Sequence, residues 1–389
     1  MNKNEIFQMM QKDALQIGLI GCGQISRVGH GPAIVADGRA RIAAVCDPNA
    51  ENRDRFARMF SVSRTYPDHL SMLAREKLDA VIVASLPWHH AGQVRDVAAA
   101  GIPMLCEKPM ATSVQDCKSM IHAAGANGVY LQICHNKRFE FGFQRIKEML
   151  AAKTIGASYH VSIDWNVYVP NYDEGIVKTG LQAINKLGFH PEKTYGDWRI
   201  KDARFDGGIF FDDGGHYIDL ARFFFGEIES VSCATRRCMA NRSSDDFVTA
   251  TLTMSDKTVV VLTRSLVALG PKIYGIECGH IYGDKGTLRF NAFAPHRQKA
   301  IKVDVFKIPN LLLRSYVPAV LPYGRRKTGY FRQMRYFIDH LTGARPLERK
   351  FDGPWAATPE DGAAAVAWTS AAFKSAREGI KIFRKDIEA

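Results

Sequence analysis

No run in this sequence approaches the roughly 18 consecutive apolar residues that would suggest a membrane-spanning helix. The opening stretch, "MNKNEIFQMMQKDALQ", has no apolar h-region and no paired arginines. No export signal is therefore read, and a cytoplasmic location is expected. Cys-x-x-Cys pairs are also missing. The eight cysteines (Cys22, Cys46, Cys106, Cys117, Cys134, Cys233, Cys238 and Cys278) are scattered, mostly in or beside apolar strand-like segments. That distribution favours buried free thiols over disulfides or a zinc site. Acidic residues are scarce in one region. Between 297 and 335 stand Arg297, Lys299, Lys302, Lys307, Arg314, Arg325, Arg326, Lys327, Arg332 and Arg335, opposed only by Asp304. Much of the net charge of +12 comes from there. Neither a nucleic-acid module nor interleaved aromatics accompany it, so no nucleic-acid partner is expected. The segment reads as a solvated basic face, or as a lure for an anionic small substrate or acidic partner subunit.

What is present suits a folded protein of two domains: 389 residues, 46% apolar and 24% charged. Up to about residue 135 strand-like and helix-like segments alternate. "LQIGLIG", "RIAAVCD", "LDAVIVAS", "IPMLCEKP" and "GVYLQICHN" are the strands, nearly continuous in apolar residues. Such strands predict a parallel sheet covered on both faces, a doubly wound α/β Rossmann domain over 1–136. Beyond it the rhythm changes. A helix over about 138–152 precedes "ASYHVSIDW", an irregular aromatic-rich stretch, a helical segment near 210–225, and then strands in succession from "EIESVSCATRR" to "AIKVDVFKI". Successive strands without helices between them predict an α+β domain over 137–389 with a large, mainly antiparallel open sheet. Helices are expected over about 328–342 and 359–379, the last packing back on the first domain.

In "GLIGCGQIS", Gly21 and Gly23 follow the first strand directly. Glycines there allow a tight turn and let backbone N–H groups, including those of Gln24 and Ile25, approach a pyrophosphate at a helix N-terminus. Ser26 replaces the third glycine of that pattern. Asp47 ends the second strand, where a carboxylate would accept from the adenosine ribose hydroxyls and repel a 2′-phosphate. The cofactor expected is therefore NAD rather than NADP. "VIVASLPWHH" and "IPMLCEKPM" end the next two strands, placing Ser85, Leu86, His90, Glu107 and Lys108 at the rim of the crevice. "FFDDGGHYIDL", residues 210–220, has helical spacing, yet sets Asp212, Asp213 and His216 around Gly214 and Gly215. Asp212 and His216, four apart, share a helix face.

These motifs resemble the Gfo/Idh/MocA oxidoreductases, the family of glucose–fructose oxidoreductase and inositol dehydrogenase. The resemblance rests on "CEKPM" after "AGIPML", on "HNKRF" at 135–139, "DWR" at 197–199, "DGGIFFDDGGHYIDLARFFFG" and "TPEDGAAAVAWTSAAFKSAREG". Departures are Ser26, Leu86 where proline is usual, and the basic segment after about residue 291. The resemblance implies an NAD-dependent dehydrogenase acting on a secondary hydroxyl of a sugar, polyol or sugar derivative, and the basic segment points to an anionic one. It implies a catalytic set of Lys108, Asp212 and His216: His216 as general base, held by Asp212, with Lys108 donating to the reacting oxygen. Gly21, Gly23, Gln24, Ile25, Asp47, Ser85, Leu86, His90, Glu107 and Lys108 would bind cofactor, Glu107 at the nicotinamide-side ribose. Asn136, Arg138, Trp198 and Arg199 would line the substrate side. Asp213 would face elsewhere and Asp219 would sit on the helix surface or at a domain contact.

Two other activities fit the same residues. One is a redox-neutral glycosidase that oxidises, eliminates and re-reduces on retained NAD; the other is a non-catalytic sensing relative. A metal held by Asp212 and His216 would need further ligands such as His89 or His90, and no metal is expected. The unpaired sheet face predicts a homodimer or homotetramer.

Overall fold

The computed structural model describes residues 14–166, 210–239, 245–267, 276–293, 300–307, 314–316, 329–344 and 355–388. The chain divides into two compact units, one from residues 1–144 and 320–366, the other from 145–319 and 367–389. The division at 144/145 lies a few residues beyond the expected boundary. The later helices are shared between the units, and the 366/367 division falls inside a helix.

The first unit alternates strand and helix, as expected. Its elements are β1 (Leu15–Ile20), a π turn over Ser26–His30 running into α1 (Gly31–Asp37), β2 (Ala40–Cys46), α2 (Ala50–Phe60), β3 (Thr65–Tyr66), α3 (His69–Arg75), β4 (Ala80–Val83), α4 (Pro87–Ala99), β5 (Met104–Glu107), α5 (Val114–Ala126) and β6 (Leu131–Cys134). All six strands pair in parallel, in the order β3-β2-β1-β4-β5-β6. β4, β5 and β6 are buried at every residue, which is why they read as unbroken apolar runs. Their core joins Ile17, Leu19, Ile82 and Leu105 to Phe337 and Ile338 from α8 (Gly329–Leu341). The strand order reverses direction between β1 and β4, and ligands of such sheets sit at the carboxyl ends of the strands there.

α6 (Phe141–Ala151) leads into the second unit. There β7 (Ser158–Asn166) and eight later strands form a nine-stranded sheet in the order β14-β13-β12-β11-β7-β10-β9-β8-β15. A π turn over Phe210–Gly214 and α7 (Gly215–Phe225) precede β8 (Ile228–Arg236), β9 (Phe247–Met254), β10 (Val259–Ser265), β11 (Ile276–Gly283), β12 (Gly286–Phe293), β13 (Ala300–Lys307) and β14 (Arg314–Tyr316). β15 (Ile382–Phe383) adds an antiparallel edge to β8. The sheet is mixed: β7 and β10 run parallel, while the other pairings are antiparallel. Parallel neighbours need a long crossover, and the chain from β7 to β10 includes α7 and two strands. β9 alternates half-buried and buried residues throughout, so one sheet face is core and the other is not.

α9 (Pro359–Glu378) begins with a reciprocal cap: the Asp361 N–H donates to Thr358 Oγ1 and the Thr358 N–H to Asp361 Oδ2, both at 3.2 Å. Its first turns belong to the first unit, as does a bridge between Ala357 and Ile133 of β6. Among the described residues no helix is long and apolar enough to cross a membrane.

Candidate active site

The chain turns sharply as it leaves β1. Gly21 has φ +94°, and a Cβ there would lie 2.5 Å from the Ala84 carbonyl oxygen, so only glycine fits. Gly23 differs: no described atom lies within 4 Å of where its Cβ would be. The first glycine serves the protein, and the second leaves an opening. Asp47 stiffens the loop between them. Its Oδ2 accepts from the Cys22 N–H at 2.7 Å and its Oδ1 from the Asn49 N–H at 2.8 Å. A carboxylate has about four acceptor positions, so two remain for a ribose. Ser26, where the glycine pattern breaks, is fully buried and its hydroxyl donates to the Gly21 carbonyl at 2.6 Å. The substitution therefore closes the loop instead of opening it. Gln24 is exposed and Ile25 half-buried at the start of the helical turn, where backbone N–H groups lack helical partners. An open glycine, free N–H groups and a terminal carboxylate fit a dinucleotide.

β5 ends in Glu107, which is 5% exposed. Its Oε1 lies 2.8 Å from His30 Nε2 and its Oε2 accepts from the Lys108 N–H at 3.0 Å. Burial by itself would raise this carboxyl, but the hydrogen bond and charge of His30 outweigh it and hold Glu107 below its usual range. Cys134, fully buried beside Glu107, is pushed well up by burial and remains a thiol, with Sγ 3.0 Å from Gln333 Oε1. His30, Glu107 and Cys134 are the group of possible metal ligands among the described residues. The 2.8 Å contact between His30 and Glu107 is a hydrogen-bonded strut. It fixes the backbone of Lys108, which is half-buried at the strand end.

Several expected contacts are relocated. His90 has no exposed surface, with Nδ1 3.0 Å from the Pro109 carbonyl and Nε2 3.2 Å from the Ser85 carbonyl. Burial holds it below the ordinary imidazole range. His90 is thus packed between two crevice turns, and its neutral ring can donate to one of the two carbonyls. Ser85 and Leu86 are half-buried in one of those turns, and the Ser85 hydroxyl donates to Gln93 Oε1 at 2.6 Å. Arg138, expected on the substrate side, is 3% exposed and pairs with Asp361 at 3.0 Å. It anchors the start of α9. Asn136 is 8% exposed at the same turn. Trp198 and Arg199 lie outside the described residues, as does most of the basic 297–335 segment.

In the second unit, the expected helix starts at Phe210, but its first turn is π over Phe210–Gly214. Gly214 is enforced, because a Cβ would meet the Phe210 ring at 2.7 Å; Gly215 has no described atom within 4 Å of that point. Asp212 and His216 are both buried, His216 keeping 6% exposure. Asp219, expected on the helix surface or at a domain contact, is fully buried, which leaves out the solvent-facing alternative. Asp213 pairs with an arginine of the sheet. Its Oδ2 meets Arg264 Nη2 at 2.9 Å. Arg264 and His30 were missed in the sequence. Arg264 is the one charged residue of the strand "VVVLTRS", a pattern that could have marked it.

Residues 15–135 match the family model described as oxidoreductase family, NAD-binding Rossmann fold, and residues 143–289 match the Gfo/Idh/MocA C-terminal domain. D-apiose dehydrogenase of Paraburkholderia graminis is 26% identical over 95% of this chain and 90% of its own length. The WlbA dehydrogenase from Bordetella pertussis, solved with NADH and UDP-GlcNAcA, has a TM-score of 0.73 and 24% identity, covering 95% of this chain and 97% of that one. An oxidoreductase from Agrobacterium radiobacter, solved with NAD+, L-tartaric acid and magnesium, has a TM-score of 0.75 and 21% identity, covering 95% and 98%. With both of its domains matched in order, this chain is a member of the Gfo/Idh/MocA oxidoreductase family, and its first domain is an NAD-binding Rossmann fold.

Proposed function

We propose that the protein is a dehydrogenase that reversibly oxidises a secondary hydroxyl of a sugar, polyol or sugar derivative. The observation that carries this reading is Lys108, half-buried at the carboxyl end of β5, with its backbone locked by the Glu107–His30 strut. NAD, when bound, supplies a hydride acceptor for the substrate carbon. His216 removes the hydroxyl proton, and Asp212 orients the imidazole and supports its charged form. Lys108 donates to the same oxygen and stabilises developing negative charge there. Gly21, Gly23, Gln24, Ile25 and Asp47 hold the dinucleotide, and Asp47 disfavours a 2′-phosphate. Asn136 stands on the substrate side; Trp198 and Arg199 keep the substrate role that the resemblance implies. Glu107 acts by holding Lys108.

The substrate belongs to the anionic sugars. Support comes from the basic excess in the sequence and from two similar folds solved with acids, UDP-GlcNAcA and L-tartaric acid. The test starts with release and quantification of nucleotide from purified protein, followed by a screen of neutral sugars, uronates and glycosides with NAD. Substrate-dependent NADH in bulk solution is expected, with higher kcat/KM for uronates that shrinks as salt rises. Aglycone release without net NADH would replace this reading with redox-neutral glycoside cleavage. Equal efficiency on charged and neutral substrates at low salt would remove the anionic preference.

A further inference from the structure

We propose that Asp213 and Arg264 are positioning residues that fix the rotational phase of the site helix, an inference that rests on the roles given above to Asp212 and His216. Arg264 stands on β10 and is 2% exposed. Its Nη2 meets Asp213 Oδ2 at 2.9 Å, and its Nη1 donates to the Trp165 and Ser265 carbonyls, each at 3.1 Å. The guanidinium also stacks over the Trp165 ring at 4.3 Å, and Trp165 in turn meets Tyr217 of α7 edge-on at 5.3 Å. The π turn that carries Asp212 is therefore fixed to two neighbouring strands, β10 and β7.

Stability alone is a poor reason for this arrangement. A buried ion pair often holds a fold no better than apolar residues of the same volume, and its best-attested use is to set register. Arg264 is costly in another way as well, since its buried Nε has no hydrogen-bond partner among the described residues. Register is what a π turn needs. A π turn holds about one residue more than an α turn, so relaxing it would rotate the chain before it by roughly 100° relative to His216. Asp212 lies in that turn and His216 lies just beyond it. Asp213 is the residue of the turn that grips the sheet.

The test uses the full-length protein with Asp213→Asn, with Arg264→Gln, and with both changes. The readouts are kcat and KM for the substrate best turned over in the screen, NAD affinity by fluorescence titration, and melting temperature. Each single change leaves one charge of the pair, buried Arg264 or half-buried Asp213, without its counter-charge. The expected kcat loss is roughly 10- to 100-fold, because misplacement of about 1 Å can cost that much, while KM and NAD affinity stay within about threefold. The double variant leaves two neutral amides and no uncompensated charge, and should regain a kcat within about tenfold of the unmodified protein. A folded double variant still down by more than that overturns the proposal, as do folded single variants with normal kcat. If the singles do not fold, the double carries the test. Normal turnover by His216→Ala is a separate result and would sink the functional reading itself.

Discussion

Two glycine pairs, one in each unit, show the same division of labour. After β1, Gly21 is required by the Ala84 carbonyl, while a Cβ on Gly23 would meet no described atom within 4 Å. In the site helix, Gly214 is required by the Phe210 ring, while a Cβ on Gly215 would meet no described atom within 4 Å. Each pair is also flanked by a π turn, over Ser26–His30 and over Phe210–Gly214. The supports differ. Backbone N–H groups and the Asp47 carboxylate hold the first loop, so its restraints are local to the sheet edge. The second turn is held by an ion pair to a strand far along the chain. A loop that binds a common cofactor can be built from a short motif. A turn that aims an imidazole must instead be fixed from outside itself.

The largest effect expected concerns one group from each unit. Lys108→Ala and His216→Ala should each lower turnover by at least about 100-fold, a typical acid–base contribution. NAD affinity, measured by titration, should change far less in His216→Ala. Near-normal turnover in either variant would leave the two regions without a shared purpose.

The glycine comparison itself can be broken next. Gly21→Ala and Gly214→Ala should each destabilise the fold by about 1–3 kcal/mol through strain or overpacking, seen as a lower Tm. Gly23→Ala and Gly215→Ala should leave Tm nearly unchanged. The former should weaken NAD binding about tenfold, since its methyl group would fill the dinucleotide's approach. The latter should lower kcat/KM for the sugar by a similar factor without altering NAD affinity. A Tm loss in Gly23→Ala or Gly215→Ala would show that the open positions are packing positions.

A smaller effect separates the two functions of Asp47. Asp47→Asn keeps an acceptor for the Cys22 N–H but removes the charge that would repel a 2′-phosphate. The preference for NAD over NADP should narrow severalfold in paired binding titrations. Tighter NADP than NAD binding by the unmodified protein would refute the assignment. The smallest effect on turnover concerns assembly. The half-buried face of β9 and β10, with Thr249, Thr251, Val259 and Val261 side by side, suits a second copy of the chain. A dimer or tetramer is expected by light scattering at micromolar concentration, and Val261→Glu should shift it toward monomer with per-site turnover little changed. A monomeric unmodified protein would count against that use of the face.

The order and type of the elements could be read from the chain because burial leaves a periodic trace. Strands buried on both faces, such as β4 and β5, are continuous apolar runs, and β9 alternates because one face is not core. The Gly21–Gly23 turn and its partner Asp47 were legible for a related reason, since steric and phosphate requirements act over a few residues and fix residue type. The second domain was read as mainly antiparallel, and the one parallel pairing, β7 with β10, could not be seen because register between distant strands leaves no local pattern.

What the sequence alone determined was therefore the two domain types, the cofactor loop and the identities of Lys108, Asp212 and His216 as candidates. Tertiary structure decided which charges those candidates lean on. His30 meets Glu107 across 77 positions, Asp213 meets Arg264 across 51, and Arg138, expected beside substrate, meets Asp361 instead. It also decided the π turn, which propensity disfavours and packing imposes. The reason is physical: an ion pair between distant elements is specified by where two stretches of chain meet, and neither residue's neighbours in sequence carry that information.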